Sequence, residues 1–299
     1  MGISRRSALK AMAVATATTV ATTLKPQPTQ AAAVVARPDA VGMLYDATRC
    51  IGCKACMSAC NKANNLPPDT TLSGGLWQMP LDLNERTKNI IKLYKDPATG
   101  TRSFVKRQCM HCLDPACVSA CMLGALKKGQ FGVVSYDPDL CIGCRYCQMS
   151  CPFNIPKFEW SKVFPKIVKC EFCKERLAQG QQPGCCEACP TGAVIFGKYT
   201  DLLADAHARL AQHPERYVPT IYGESEVGGT QVLYLSHVDF AKLGLPTYSS
   251  EPVPTAVRQV FQEIYQGIIP PLALYALLAA VLMRSRRELT GEAHDREEQ

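Results

Sequence analysis

Sixteen of the chain's seventeen cysteines fall into four groups of four. The tightest is Cys141, Cys144, Cys147 and Cys151 with Pro152 behind it, spaced C-x2-C-x2-C-x3-C-P. Cys50, Cys53, Cys56 and Cys60 repeat that spacing, with Asn61 in place of the proline. Cys109, Cys112, Cys117 and Cys121 widen it to C-x2-C-x4-C-x3-C, and Cys170, Cys173, Cys185 and Cys189 to C-x2-C-x11-C-x3-C-P. Three thiolates two residues apart let one tight loop wrap three corners of a cuboidal [4Fe–4S] cluster. Gly143, and Gly52 at the matching place, lack a Cβ and let the backbone turn closely around the inorganic sulfides. The fourth cysteine lies one helical turn further on and points away, toward a neighbouring cluster.

Other uses of cysteine fit less well. Zinc sites bring two C-x2-C pairs to one tetrahedral ion, and the x2, x2, x3 order has no such use. Disulfide frameworks belong to short secreted chains with an even count, and this chain is long with an odd one. Cys186 is left over beside Cys185 in the Pro183-Gly184 turn; Cys185 keeps the x3 spacing to Cys189, so Cys186 is not expected to be a ligand. Arg145, between Cys144 and Cys147, places a cation where it would favour a reduced, more negative cluster. His111 sits between two ligand cysteines and is expected to donate a hydrogen bond rather than bind iron, while His207 and His213 are expected to face solvent. No open metal site, nucleophile–base pair or substrate-sized motif is present, so no catalytic residues are expected.

The formal charge of +7 is not a nucleic-acid footprint. Residues 1–33 hold Arg5, Arg6, Lys10 and Lys25 without an acid, which leaves +3 for the remainder. Four oxidised clusters at about −2 each would bring that remainder to roughly −5.

Ser4-Arg5-Arg6-Ser7-Ala8-Leu9-Lys10 reads as a twin-arginine export signal, followed by an apolar run from Ala11 to Leu24 and a small-residue cleavage site at Ala31-Ala32-Ala33. That route exports folded proteins, so clusters could be inserted in a reducing cytoplasm first. Strands are expected at 43–46, 131–136, 193–196 and 232–235, and a hairpin from 90–94 and 104–107 around Asp96-Pro97-Ala98-Thr99-Gly100. Thr200 is expected to cap a helix carrying Leu202, Leu203, Ala206 and Leu210 on one face. Residues 61–86 read as a surface excursion.

The C-terminal stretch Gly267–Met283 holds seventeen residues without a charge, about the minimum that spans a bilayer. Apolar residues at helical spacing (Val257, Val260, Phe261, Ile264, Tyr265) extend it upstream. Arg284, Arg286 and Arg287 follow at once and place the tail in the cytoplasm by the positive-inside rule. The expectation is a membrane-anchoring helix over 257–283 and a cytoplasmic tail over 284–299.

The four groups, in this order, resemble the four-cluster ferredoxin subunits of respiratory oxidoreductases. Within that class, Gly42-Met43-Leu44-Tyr45-Asp46, Gln108-Cys109-Met110-His111-Cys112, Cys144-Arg145-Tyr146-Cys147, Gly192-Ala193-Val194-Ile195-Phe196-Gly197 and Gly228-Gly229-Thr230-Gln231-Val232-Leu233 resemble the ferredoxin-like subunit of membrane-bound, hydrogenase-2-type nickel–iron hydrogenases. The resemblance covers nearly all of the chain beyond the signal. It implies an α+β fold of two ferredoxin-like halves with short strands and helices. Residues 43–106 and 161–240 would form the first half around groups one and four, residues 107–160 the inserted second half, and 241–256 a linker to the one transmembrane helix. Crossed ligation is also implied: Cys50, Cys53 and Cys56 with Cys189; Cys170, Cys173 and Cys185 with Cys60; Cys109, Cys112 and Cys117 with Cys151; Cys141, Cys144 and Cys147 with Cys121.

The role implied is an electron relay on the periplasmic side of the bacterial inner membrane. Electrons would come from the large and small subunits of a nickel–iron hydrogenase and leave to an integral membrane subunit that reduces quinone. The related alternative is the iron–sulfur subunit of a formate dehydrogenase or another respiratory oxidoreductase. Those formate subunits usually travel on a partner's signal, so Arg5-Arg6 favours the hydrogenase. A structural or sensing iron–sulfur protein is the alternative from another class, and four complete groups in series favour a wire over it.

Overall fold

The computed structural model describes residues 34–68, 80–254, 272 and 274–284. The expected export signal at 1–33 and most of the expected 257–283 anchor lie outside the described residues. In chain order the body runs β1 (Val41–Asp46), α1 (Ala55–Ala63), β2 (Asn89–Lys95), β3 (Arg102–Gln108), α2 (Ala116–Ser119), β4 (Leu126–Lys128), β5 (Val134–Tyr136), α3 (Tyr146–Ser150), β6 (Lys157–Phe158), β7 (Ile167–Val168), α4 (Lys174–Ala178), α5 (Gly184–Glu187), β8 (Val194–Lys198), α6 (Tyr199–Gln212) and β9 (Val232–Leu235).

Successive side chains of a strand point to opposite faces, and β1 uses both. Met43 and Tyr45 join a core rich in cysteine, while Leu44 joins a second, cysteine-free one. β1 is the middle strand of a β8-β1-β9 sheet, antiparallel to β8 and parallel to β9. β9 repeats the alternation, Val232 and Tyr234 toward the cysteines, Leu233 and Leu235 away. α6 covers the far face through Tyr199, Leu202 and Ala206, with Leu203 and Leu210 partly buried beside them. Asp46 ties the two layers together: its carboxylate, 1% exposed, accepts from Tyr217 Oη at 2.9 Å and Arg209 Nη1 at 3.2 Å.

Two local expectations are corrected. α6 opens at Tyr199, whose ring is buried and whose N–H donates to Ala40 O at 2.9 Å, so Thr200 lies inside the first turn and its hydroxyl meets Asp201 instead of capping. The 131–136 strand begins only at Val134. Before it Phe131 and Gly132 turn with φ of 56° and 71°, and the Gln231 amide donates to Phe131 O at 2.9 Å, which pulls that carbonyl out of any ladder.

β2 and β3 form the expected antiparallel ribbon, in register from Asn89 opposite Gln108 to Lys95 opposite Arg102. Asp96 Oδ1 closes its turn by accepting from the N–H groups of Ala98 (2.8 Å) and Thr99 (3.2 Å). Further on, the ribbons β4–β5 and β6–β7 enclose a third core of Cys117, Leu126, Val134, Tyr136, Cys147 and Ile167. Two helix pairs complete the body: α1 packs on α5, and α2 on α3.

Separately from the body, residues 274–284 are helical, with Leu274, Tyr275, Leu277, Val281, Leu282 and Met283 all exposed. Among the described residues no helix is long and apolar enough to cross a membrane.

Candidate iron–sulfur sites

All four cysteine groups fold the same way locally. The third cysteine of each is the second residue of a short helix: Cys56 in α1, Cys117 in α2, Cys147 in α3 and Cys185 in α5. The residue before the second cysteine is left-handed in every group, with φ of 70° at Gly52, 49° at His111, 72° at Gly143 and 52° at Phe172. Only glycine adopts that conformation freely; any other residue gives up about 1–2 kcal/mol. The two glycines differ in surroundings. A Cβ on Gly52 would lie 2.2 Å from Phe104 Cε1, whereas one on Gly143 would meet Phe158 Cζ at 3.3 Å. Gly52→Ala is therefore expected to lose about four iron atoms per chain, one cubane's worth, while Gly143→Ala keeps its iron at a cost of about 1–2 kcal/mol in a thermal melt.

The fold brings cysteines of different groups together. Cys56 lies close enough to Cys50, Cys185 and Cys189 for their charges to interact, and Cys50 to Cys53 and Cys189. Cys60 has Cys173 and Cys185 as such neighbours, and Cys170 has Cys60 and Cys185. Cys112 is surrounded by Cys109, Cys117 and Cys151. Cys147 has Cys121, Cys141 and Cys144, and those four line one cavity with Leu126 and Tyr136. The last cysteine of each group thus stands near two or three of the first three cysteines of another. Neighbouring sets also lie within electrostatic reach of one another in series, Cys56 with Cys185, Cys170 with Cys109, and Cys117 with Cys147. The exposed cysteines are Cys53 and Cys144, one at each end of that series.

The donor chemistry fits an iron–sulfur centre. Burial pushes the Cys56 and Cys117 thiols up to about 12, and those of Cys60, Cys147 and Cys151 up to about 11. Such thiols stay protonated at neutral pH unless a metal centre takes them as thiolates. All-thiolate sets of four are what iron–sulfur clusters use.

Comparison with known proteins agrees. Residues 42–122 and 101–199 each match a family described as a 4Fe-4S dicluster domain. The Hydrogenase-2 operon protein HybA of Escherichia coli O157:H7 is 38% identical over 86% of this chain and 88% of its own length. The nitrate-inducible formate dehydrogenase iron-sulfur subunit of Escherichia coli K12 is 35% identical over 80% of this chain and 81% of its own. The chain belongs to the hydrogenase-2-type ferredoxin-like subunits. It is an iron–sulfur electron-transfer subunit and not a catalytic one.

Within this family member, several side chains stand against the cysteine sets. His111 and Phe172, the two non-glycine residues at the left-handed position before a second cysteine, stack on each other at 3.8 Å with 20° between their planes. His111 Nδ1 accepts from the Val134 N–H at 3.1 Å, so the ring proton sits on Nε2, a buried atom without a hydrogen-bond partner among the described residues. Burial, with Lys169 and Lys128 nearby, holds its pKa well below the usual histidine range, so the ring is neutral. Cys186 is buried and hydrogen-bonds the Cys185 sulfur, which lowers Cys185 to about 6. The Arg145 guanidinium is stacked over Trp160 and Phe158, at 4.4 and 5.1 Å from the ring centres. His207 and His213 are exposed. Sequence reasoning missed Lys106, a fully buried residue of β3. In the sequence it is one of several basic residues on an ordinary hairpin strand, and the only signal was its place among positions that turn inward.

Proposed function

We propose that this chain holds four [4Fe–4S] clusters in series and relays electrons from a nickel–iron hydrogenase to a membrane subunit that reduces quinone. The observation that carries this reading is the serial arrangement of the four cysteine sets, each within electrostatic reach of the next, with an exposed cysteine in each outermost set. Cys50, Cys53, Cys56 and Cys189 would hold the first cluster, and Cys170, Cys173, Cys185 and Cys60 the second. Cys109, Cys112, Cys117 and Cys151 would hold the third, and Cys141, Cys144, Cys147 and Cys121 the fourth. Such clusters supply one-electron redox chemistry over a range of about −700 to +450 mV. The chain's own residues set where in that range each would lie, by burial, by hydrogen bonds to sulfur and by nearby charge. Ile51 and Ile142, beside Cys53 and Cys144, are exposed apolar side chains suited to partner contact.

The body is placed in the periplasm by the same proposal, carried there by the Arg5-Arg6 signal and held by the C-terminal helix. The uncharged stretch from Gly267, the arginines that follow it and the exposed apolar side chains of the 274–284 helix support the anchor. A partnership with formate dehydrogenase subunits is the second reading, favoured by the 35% identity to one of them. The chain's own export signal supports the hydrogenase.

Protein purified without oxygen is expected to hold about 16 iron and about 16 sulfide per chain, from the cubane stoichiometry. A reproducible count near half of that, or zinc in place of iron, would overturn the four-cluster reading.

A further inference from the structure

β3 carries a lysine into the interior. Lys106 is 0% exposed and stands opposite Ile91 in the β2–β3 ribbon. The ribbon is fastened to α1, with Asn89 Nδ2 donating to Cys56 O at 3.4 Å and the Ile91 N–H to Met57 Sδ at 3.3 Å. An ammonium has three protons to donate. Among the described residues its hydrogen-bond partner is Gln108 Oε1, a neutral atom, and it makes no ion pair with a carboxylate. Leaving such a charge unpaired in the interior is strongly unfavourable. Lys169, the other buried lysine, differs in having the Glu171 carboxylate close enough to feel its charge. The Cys186 thiol and the Tyr234 phenol feel the charge of Lys106, and the charges that act most on Lys106 are the sulfurs of Cys56, Cys60, Cys170 and Cys185. Cys56 belongs to the first cysteine set and the other three to the second.

We propose that Lys106 is a positioning residue for two clusters at once, a buried cation shared by the first and second sets that raises the reduction potential of both. The inference rests on the four-cluster reading. Its physical content is simple. A reduced cluster is one charge more negative than the oxidised one, so a fixed cation beside it favours reduction. With water excluded, the interaction is screened far less than at the surface. One lysine placed between two sets also keeps their potentials moving together, which a surface arginine such as Arg145, held over two aromatic rings at the fourth set, does not do.

The test is a redox titration followed by electron paramagnetic resonance on anaerobically purified Lys106→Met, with iron and sulfide counted on the same sample. The expected result is full iron, two midpoints shifted downward and two unchanged. Full iron with all four midpoints unchanged overturns the proposal, as does a shift confined to the third and fourth clusters. A low iron count in the unaltered protein instead overturns the four-cluster reading, so the two failures are distinguishable. Should Lys106→Met lose iron, Lys106→Gln and Lys106→Arg decide. Lowered midpoints in Lys106→Gln, or iron lost in both neutral variants and kept in Lys106→Arg, support the charge; unchanged midpoints in Lys106→Gln, or loss in all three, reduce Lys106 to packing and overturn it.

Discussion

Cys185→Ala is expected to remove one cluster or convert it to a form with fewer iron atoms, whereas Cys186→Ala keeps all four. The two residues are adjacent, both are buried, and both are thiols, so composition does not separate them. Position does. Cys185 keeps the x3 spacing to Cys189, and it occupies the second position of α5, as Cys56, Cys117 and Cys147 do in their own helices. Its charge reaches the neighbours expected of a ligand, Cys56, Cys60, Cys170 and Cys173. Cys186 instead bonds the Cys185 sulfur, and that bond together with burial keeps its own thiol protonated. A hydrogen bond to a ligand sulfur favours the reduced state. Cys186→Ala should therefore lower one midpoint while iron stays at about 16 per chain; Cys186→Ser, which retains a donor, should move it less. Iron analysis with a redox titration reads both effects. Full iron in Cys185→Ala with loss in Cys186→Ala would move the ligand by one residue.

Much of the fold was legible because local pattern and tertiary outcome agree. Met43–Asp46, the 90–107 hairpin and Val232–Leu235 read as strands from their apolar residues and turn chemistry, and β1, β2–β3 and β9 are there. Leu202, Ala206 and their neighbours show helical spacing and pack where that spacing puts them. What failed was decided by contacts far away in sequence. Nothing within 131–136 announces that Gln231 will capture the Phe131 carbonyl and delay the strand. Nothing near Thr200 announces that Ala40 will hold the helix start two residues earlier.

The cysteine spacing shows four groups of four, but spacing alone does not pair the last cysteine of one group with the first three of another. That pairing depends on α1 meeting α5 and α2 meeting α3, a tertiary fact that only the resemblance could anticipate. The left-handed His111 and Phe172 were hidden for a related reason: glycine at the same position in groups one and three signals the conformation, and a histidine or phenylalanine does not. Lys106 was hidden because a basic residue on a hairpin strand is ordinarily solvated, and here the thiols of two sets stand where water would be.

Removing residues 264–299 is expected to release a cluster-loaded protein into the periplasm and to abolish hydrogen-dependent quinone reduction. Release follows from the length of the uncharged stretch, seventeen residues from Gly267 to Met283, close to the minimum that crosses a bilayer. Retention of clusters follows from where the cysteines lie, all between Cys50 and Cys189, in the body that ends by Pro254. Loss of activity follows from diffusion: a relay that must meet a membrane subunit gains a high effective concentration when tethered beside it and loses it when freed. Arg5→Lys together with Arg6→Lys should give the opposite distribution, precursor held in the cytoplasm, and a reporter fused after Gln299 should be active only in a cytoplasmic form. Fractionation and hydrogen-dependent quinone reduction measure the outcome. Truncated protein that stays on membranes in the absence of partner subunits would rule out the anchor. Clean release with undiminished quinone reduction would leave the anchor standing and rule out the relay, because electrons would then be reaching quinone without this body at the membrane surface.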